Sequence, residues 1–191
     1  MWWREHRRHR HVLGALGRLA IVLGVAGLSG GCFEPLYGNH GSVQSEGIYA
    51  KLNAVEIAPI DTPKGTPAQR VAVGLRNALQ FDLNGGAGAN APTHRLVVNV
   101  GASQFTVVVN PQSGLPDAEV AGVAATYRLV EIATGKTVLS DSTFSHVDYD
   151  IPGPQQFFVQ QRARRNAEDR ALKVVAETIR NRLASYFVAG T

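Results

Sequence analysis

Cys32 is the only cysteine of the 191-residue chain. It directly follows an uncharged apolar run over residues 19–28 and the small residues Ser29, Gly30 and Gly31. The chain before this run is rich in arginine, and a positive start, an apolar middle and a small-residue end are typical of a secretory signal peptide. A single thiol cannot form an intrachain disulfide, so the chain offers no disulfide partner for Cys32.

The stretch LSGGC, which ends at Cys32, resembles the lipobox of bacterial lipoproteins. The resemblance implies an S-diacylglyceryl group on Cys32, cleavage of the signal after Gly31, and acylation of the new amino group, for example by palmitate. The usual pattern has Leu three residues before the cysteine, whereas Ser29 stands there and Leu28 lies one position earlier. Several acyl chains on one residue anchor a protein stably. The alternative is a permanent N-terminal membrane anchor, for which the apolar run is short.

Removal of residues 1–31 changes the charge of the chain. The full sequence has 19 Lys and Arg against 15 Asp and Glu. Five of the arginines and one of the glutamates belong to the signal, so the mature chain is formally neutral. Basicity is therefore no argument for nucleic-acid binding, and we expect no nucleic-acid partner. The remaining chain is long enough for one domain with an ordinary hydrophobic core.

The mature chain divides into a tether and a domain. Residues 32–50 are rich in Gly, Ser and Asn without periodicity, which indicates a lipidated N-terminus and flexible tether, and residues 51–191 form a single domain. The domain begins with a short predicted strand around Leu52, Val55 and Ile57. A helix follows. Its signals are the N-cap Thr66, Pro67 at the first helical position, Gln69 completing a capping box, and the terminating Asn84-Gly85-Gly86.

Three strands and a second helix complete the predicted domain. Residues 95–110 form a long strand with a bulge at Gly101. Residues 118–132 and 137–151 form two more, joined by a tight turn at Thr134-Gly135-Lys136. The last helix presents one apolar face, made of Leu172, Val175, Ile179, Leu183 and Tyr186. The order β-α-β-β-β-α predicts an α+β two-layer sandwich, with a four-stranded mixed sheet and both helices on one face.

Motifs for catalysis are missing from the sequence, which has no HExxH, GxSxG or Walker loop. The candidate residues that remain are Asp148, Asp150, His94, His146, Ser103, Ser113 and Ser142. The aspartates share a strand face, but two carboxylates fall short of the six or more oxygens that calcium takes. The histidines lack a partner at metal-ligand spacing, and no base adjoins the serines. We therefore expect no enzyme activity, no metal and no cofactor.

Basic residues are concentrated in the predicted C-terminal helix. They are Arg162, Arg164, Arg165, Arg170, Lys173, Arg180 and Arg182. One interpretation is a basic face for phosphates or an acidic partner, with Arg164 and Arg165 as candidate contacts and Arg128 as a further candidate in a strand. The alternative is a solvated helix face with intrahelical pairs such as Asp169–Lys173. In that case Arg128 only covers the outer face of the sheet.

The segment GCFEPLYG around Cys32 resembles the mature N-terminus of lipopolysaccharide-assembly lipoproteins of the LptE type in alphaproteobacteria, where GC-x-F-x-P-L-Y-G is typical. Phe33 directly follows the cysteine, so the usual intervening residue is missing, while residues 35–38 match. The predicted element order and the long C-terminal helix are also similar to that family. The resemblance therefore extends over most of residues 32–191.

This resemblance implies a non-catalytic outer-membrane lipoprotein on the periplasmic side. Proteins of this type plug the β-barrel LptD, help it assemble, and assist delivery of lipopolysaccharide to the cell surface. Phe33 in place of Asp agrees with sorting to the outer membrane. Two other interpretations stay open: a pilotin-like lipoprotein that chaperones another barrel or a secretin, and a lipid-anchored envelope hydrolase with an unrecognised site.

Overall fold

The computed structural model describes residues 47–89, 91–109, 111, 112, 114, 116–151 and 156–190. The predicted signal, Gly31, Cys32, Ser113 and most of the predicted tether lie outside these residues. The elements in chain order are α1 (Ile48–Asn53), β1 (Val55–Ile57), α2 (Pro67–Asn84), β2 (His94–Val109), β3 (Pro116–Glu131), β4 (Thr137–Asp150) and α3 (Phe157–Ala189).

The four strands form one mixed sheet in the order β1-β2-β3-β4. The pair β1–β2 is parallel and is connected through α2, whereas β2–β3 and β3–β4 are antiparallel. Residues 123–129 of β3 alternate, with Tyr127 and Leu129 buried and Thr126 and Arg128 exposed. Helices α2 and α3 contact the sheet and each other on the buried side. The predicted α+β two-layer sandwich, with both long helices on one face of the sheet, is confirmed.

Helix α2 begins and ends at the predicted signals. The side chain of Thr66 accepts a hydrogen bond from the backbone N–H of Gln69 at 3.3 Å, and Gly85 ends the helix in the left-handed conformation at φ 62°. The Gln69 side chain accepts from the backbone N–H of Gly65 at 2.8 Å, one residue earlier than a standard capping box requires. The helix buries Val71, Leu75, Leu79 and Leu83.

The start of the domain differs from the prediction. Leu52 lies in the short helix α1 and not in a strand, and α1 includes residues 48–50 of the predicted tether. The amide of Asn84 explains this arrangement, because it donates hydrogen bonds to the backbone carbonyls of Asn53 at 2.9 Å and of Val55 at 3.4 Å. Leu52 is thereby turned into the core, where it is 1% exposed.

Helix α3 carries much of the core. It has 33 residues, and of the predicted face Leu172, Val175, Ile179 and Leu183 are buried whereas Tyr186 is half-buried. It lies close to α2 at Gly74, where an added Cβ would stand 2.9 Å from Cδ2 of Leu172. At about 1.5 Å per residue the helix is about 50 Å long, whereas the 18 residues of α2 span about 27 Å. The two helices therefore cover different lengths of the sheet.

The long strands are continuous, and the predicted bulge at Gly101 is wrong. Gly101 pairs regularly with Ala124, and the irregularities in β2 lie between Thr106 and Val109. The predicted turn between β3 and β4 is present: Glu131 and Lys136 are joined by a backbone hydrogen bond of 2.9 Å, and Gly135 has the positive φ of 69° that the turn requires.

Candidate functional site

The face of the sheet that points away from α2 and α3, here called the outer face, is not covered by any described element. The buried residues of β3 point to the helices, and the alternate residues Arg128, Thr126 and Ala124 are exposed. Domains of this kind normally bury only one face of an antiparallel sheet and keep the other polar. The outer face departs from that rule because it is apolar near its centre.

Small and aromatic side chains occupy the centre of the outer face. Two neighbouring cross-strand rows are Gly101–Ala124–Phe144 and Ser103–Gly122–His146. The ring of His146 lies 5.4 Å from Phe144 and 6.3 Å from Phe105, measured between ring centroids. Phe144 is 69% exposed and Phe105 is 54% exposed. Exposed aromatic residues that cluster in this way are characteristic of surfaces that bind a partner.

Gly122 is the centre of this cluster. A Cβ at this position would stand 2.7 Å from Cδ2 of His146 and would overlap Oγ of Ser103. The glycine thus allows Ser103 and His146, 43 positions apart in the sequence, to lie over one point of the outer face. No hydrogen bond joins the two side chains in the part of the chain that the structure describes.

Beside the aromatic cluster the outer face has a shallow depression of about 330 Å³. It is lined by Asn99, Gly101, Ala124, Thr126, Ser142 and Phe144, among others. Small side chains form its floor and the Phe144 ring forms a wall. The predicted candidate Arg128 stands one row away, between Val97 and Ser140. A cation therefore lies next to an apolar depression, an arrangement that suits an amphipathic anion.

The other two predicted anion contacts, Arg164 and Arg165, are on α3 and do not meet Arg128. Nε of Arg164 donates to Glu168 at 3.0 Å, and Glu168 is 5% exposed, so Arg164 is engaged by a buried carboxylate. Arg165 is exposed. The structure thus brings none of the three arginines together.

Several charged residues of α3 pair with other elements. Asp169 pairs with Arg70 of α2 at 2.8 Å, so the predicted intrahelical pair Asp169–Lys173 is wrong. Arg182 pairs with Asp141 of β4 at 3.2 Å, and Arg170 donates to the backbone carbonyl of residue 148 at 3.3 Å. These contacts fasten α3 to α2 and β4, which reduces the basic charge available to a ligand.

A buried polar cluster that the sequence analysis did not identify lies under the helix side of β3. Glu119 is 8% exposed and accepts hydrogen bonds from the Tyr149 hydroxyl and the Gln104 amide. Burial and the hydrogen bond to Glu119 raise the pKa of Tyr149 above its ordinary value. The sequence did contain a signal for this buried carboxylate. Inward and outward residues alternate along β3, and Glu119 occupies the inward position two residues before Ala121 and four before Val123.

The remaining candidates for chemistry are separated. His94 packs edge-on against Phe187, with 5.2 Å between centroids, and burial lowers the pKa of its imidazole. Asp148 and Asp150 are exposed on the outer face of β4. No group of three or more His, Cys, Asp or Glu side chains that could hold a metal ion occurs within the described ranges.

The fold and the outer face define a class: a two-layer α+β domain with one uncovered, partly apolar sheet face. No family model matches the sequence, and no curated protein matches it. The fold is shared with a candidate lipoprotein of Caulobacter crescentus CB15, with a TM-score of 0.58 and 19% identity over 75% of this chain and 97% of that chain.

Two further lipoproteins are similar. Lipoprotein B of Nitrosomonas europaea has a TM-score of 0.51 and 12% identity over 81% of this chain and 94% of that chain. The rare lipoprotein B of Shewanella oneidensis has a TM-score of 0.49 and 14% identity over 71% and 96%. The Caulobacter and Nitrosomonas structures show that the chain has a fold that occurs in bacterial lipoproteins. Among the residues that the structure describes, no helix is sufficiently long and apolar to cross a membrane.

Proposed function

We propose that this protein is an outer-membrane lipoprotein of the LptE type, anchored through acylated Cys32 on the periplasmic side. In this role it plugs and helps to assemble an LptD-type β-barrel and assists delivery of lipopolysaccharide to the cell surface. The proposal combines the GCFEPLYG resemblance at residues 31–38 with a fold that occurs in lipoproteins. It assigns no catalytic role to any residue.

The observation that carries the proposal is the uncovered apolar outer face. A sheet face with exposed Phe105 and Phe144 loses unfavourable contact with water when it is covered by another protein. The strands that present it have 14 to 16 residues, which corresponds to about 50 Å at about 3.3 Å per residue. A rigid body of this length suits a role inside a large barrel better than a small mobile ligand site.

Lipopolysaccharide has phosphates and acyl chains, and the depression beside Arg128 offers a cation next to an apolar floor. Arg128 is the candidate contact that this geometry favours. Arg165 is exposed and is a second possible phosphate contact on the other side of the domain. Arg164 would have to leave Glu168 to serve as a third.

The alternative that shares the same support is a pilotin-like lipoprotein for another barrel or a secretin. An uncovered apolar face would serve that role equally well. The two functions are separated by the partner and by the phenotype. A pilotin binds a different barrel, and its depletion leaves lipopolysaccharide export normal.

The test is affinity purification of the full chain from detergent-solubilised outer membrane, together with depletion in cells. We expect one stoichiometric large barrel of the LptD type and a fall in surface lipopolysaccharide after depletion. A freely soluble monomer with no barrel partner, or normal lipopolysaccharide export, contradicts the proposal. For the hydrolase interpretation, an envelope hydrolysis activity that disappears in Asp148→Asn or Asp150→Asn would be needed.

A further inference from the structure

The edge of β2 that faces away from β3 is paired over only a short length. Strand β1 has three residues and pairs with His94, Arg95 and Leu96. The last bond on this edge runs from the backbone N–H of Ala58 to the carbonyl of Leu96 at 3.0 Å. Backbone groups on a strand alternate between its two edges, so the N–H and C=O groups of every second residue after Leu96 point to the same open side.

The open edge consists of Val98, Val100, Ala102, Gln104 and Thr106. Within the described part of the chain no backbone hydrogen bond reaches these groups from the side opposite β3. Helix α2 does not cover the far end, since it is much shorter than β2, and residues 103–109 are exposed on both sides of the strand. Among the described residues, the edge is therefore a row of backbone donors and acceptors that no other strand pairs with.

The opposite edge of the sheet, on β4, is protected in the manner that natural proteins use. The Asp141 carboxylate accepts from the backbone N–H of Ser142 at 2.7 Å, and Arg170 donates to the carbonyl of Asp148 at 3.3 Å. Asp141, Asp148 and Asp150 are three charged side chains on β4. On β2 these devices are missing, because residues 96–116 contain no charged residue. Among the described residues, the β4 edge is thus partly protected, whereas the β2 edge beyond Leu96 has no such protection.

We infer that the open edge of β2 binds an extended, uncharged segment of the protein partner as an added antiparallel or parallel strand. The segment is uncharged because the edge offers no opposite charge over residues 96–116, so a charged strand would lose hydration without compensation. Main-chain hydrogen bonds would supply the attraction, and the alternate side chains of the segment would contact the helix side and the outer face. The inference relies on the proposed function only for the existence of a protein partner.

Other occupants fit the edge less well. Acyl chains cannot hydrogen-bond to backbone N–H and C=O groups. A lipid that covered the edge would therefore leave these groups unsatisfied and removed from water, which costs free energy. A second copy of this chain would pair edge to edge over about five residues and would leave the outer face uncovered. Stable protein interfaces bury about 1,200–2,000 Å², which a single short strand pair does not reach. A partner that also covers the outer face can reach it.

The test compares proline substitutions on the two edges. Ala102→Pro removes an outward N–H of β2 and leaves the ladder to β3 intact, since Gly101 and Ser103 make those bonds. Ser140→Pro removes an outward N–H of β4 and is the matched control. In the full lipidated chain we expect Ala102→Pro to lower partner recovery from detergent-solubilised outer membrane about tenfold or more. We expect Ser140→Pro to change it by less than about twofold. Circular dichroism verifies that both variants fold.

A photoreactive amino acid at Thr106 provides the second measurement, and the only one needed if Ala102→Pro fails to fold. Thr106 is at the open edge on the side opposite the outer face. We expect a crosslink from Thr106 to an uncharged segment of the partner, identified by mass spectrometry, and none from Phe158, which is exposed near the start of α3 and away from this edge. Unchanged recovery of the partner with Ala102→Pro, no crosslink from Thr106, or a crosslink to a charged segment overturns the inference.

Light scattering measures the molar mass of the protein and so tests whether a second copy of this chain binds the β2 edge. A wild-type dimer that becomes a monomer in Ala102→Pro would also overturn the inference. Failure of the strand-pairing inference can be distinguished from failure of the proposed function. If an LptD-type barrel is recovered equally with Ala102→Pro, only the strand pairing is wrong. If the recovered partner is not such a barrel but is lost with Ala102→Pro, only the proposed function is wrong.

Discussion

Arg70 of α2 pairs with Glu168 of α3, and this contact joins the two helices across a largely buried carboxylate. Glu168 also accepts from Arg164, and Asp169 accepts from the other guanidinium nitrogen of Arg70. Removal of Arg70 leaves a buried charge with one partner fewer, which is costly because burial has already removed the water that would replace it.

We therefore expect Arg70→Ala to lower the free energy of unfolding by about 1–3 kcal/mol. The matched control is Arg95→Ala, which breaks the exposed pair with Glu56 at 3.1 Å and should cost less than about 1 kcal/mol. Denaturant unfolding of both variants measures the difference. Equal losses would show that Glu168 is solvated adequately without Arg70.

Gly122 allows the close packing of Ser103 and His146 on the outer face. Gly122→Val would place methyl groups where these side chains lie, so we expect a loss of about 1–3 kcal/mol from overpacking. Gly101→Ala is the control, because no atom lies within 4 Å of its added Cβ. Its effect should stay within about 0.5 kcal/mol. Thermal unfolding of the two variants checks this, and similar melting temperatures would contradict the role assigned to Gly122.

Ionisation of Tyr127 makes the free energy of unfolding decrease at alkaline pH. Burial and the nearby Asp141 raise its pKa from 10.0 to about 12. Its contribution to stability is therefore complete below pH 10, where the residue is protonated in both states, and is lost as the pH rises from 10 towards 12. We expect the free energy of unfolding to fall over this window, and to fall less in Tyr127→Phe. An identical slope in both proteins would show that burial does not raise this pKa.

The outer face can be tested by a charge that leaves the fold intact. Phe144 is 69% exposed on the outer face, and Phe158 is 81% exposed near the start of α3. We expect Phe144→Asp to lower barrel recovery about tenfold, because the partner would have to desolvate a carboxylate, and to lower surface lipopolysaccharide. Phe158→Asp should leave both unchanged. A loss in both variants, or in neither, would remove the outer face as the contact surface.

The proposed lipid anchor at Cys32 can be tested directly. We expect mass spectrometry of the mature N-terminal peptide to show a diacylglyceryl group and an amide-linked acyl chain on Cys32. Cys32→Ser should prevent this modification and lower the membrane-bound fraction, since no acyl chain remains to bury in the bilayer. An unmodified Cys32 thiol in the processed wild-type protein would exclude a lipoprotein.

Elements with strong local signals were predicted from the sequence. Thr66 and Gly85 mark the two ends of α2, and Gly135 marks the β3–β4 turn. The alternation through Val123, Ala125, Tyr127 and Leu129 identified the buried face of β3. Local signals failed at Leu52, where the amide of Asn84 stabilises a helical turn from 32 residues away. Local signals also failed at Gly101, because a glycine in a strand allows a β-bulge but does not require one.

The sequence by itself predicted an acylated Cys32, which stays a prediction, and it predicted the order of the four strands and two long helices and the buried faces of α2, β3 and α3. These properties depend on residue types and spacings within one segment. Only the tertiary structure decided that Arg70 meets Glu168, that Ser103 and His146 share the space over Gly122, and that no described strand pairs with the edge of β2 beyond Leu96. The packing of α2 on α3 brings Arg70 to Glu168, and the register of the strands places Ser103 and His146 over Gly122. The edge of β2 has no described neighbour because β1 and α2 are short beside a 16-residue strand. No single segment of the sequence specifies any of these relationships.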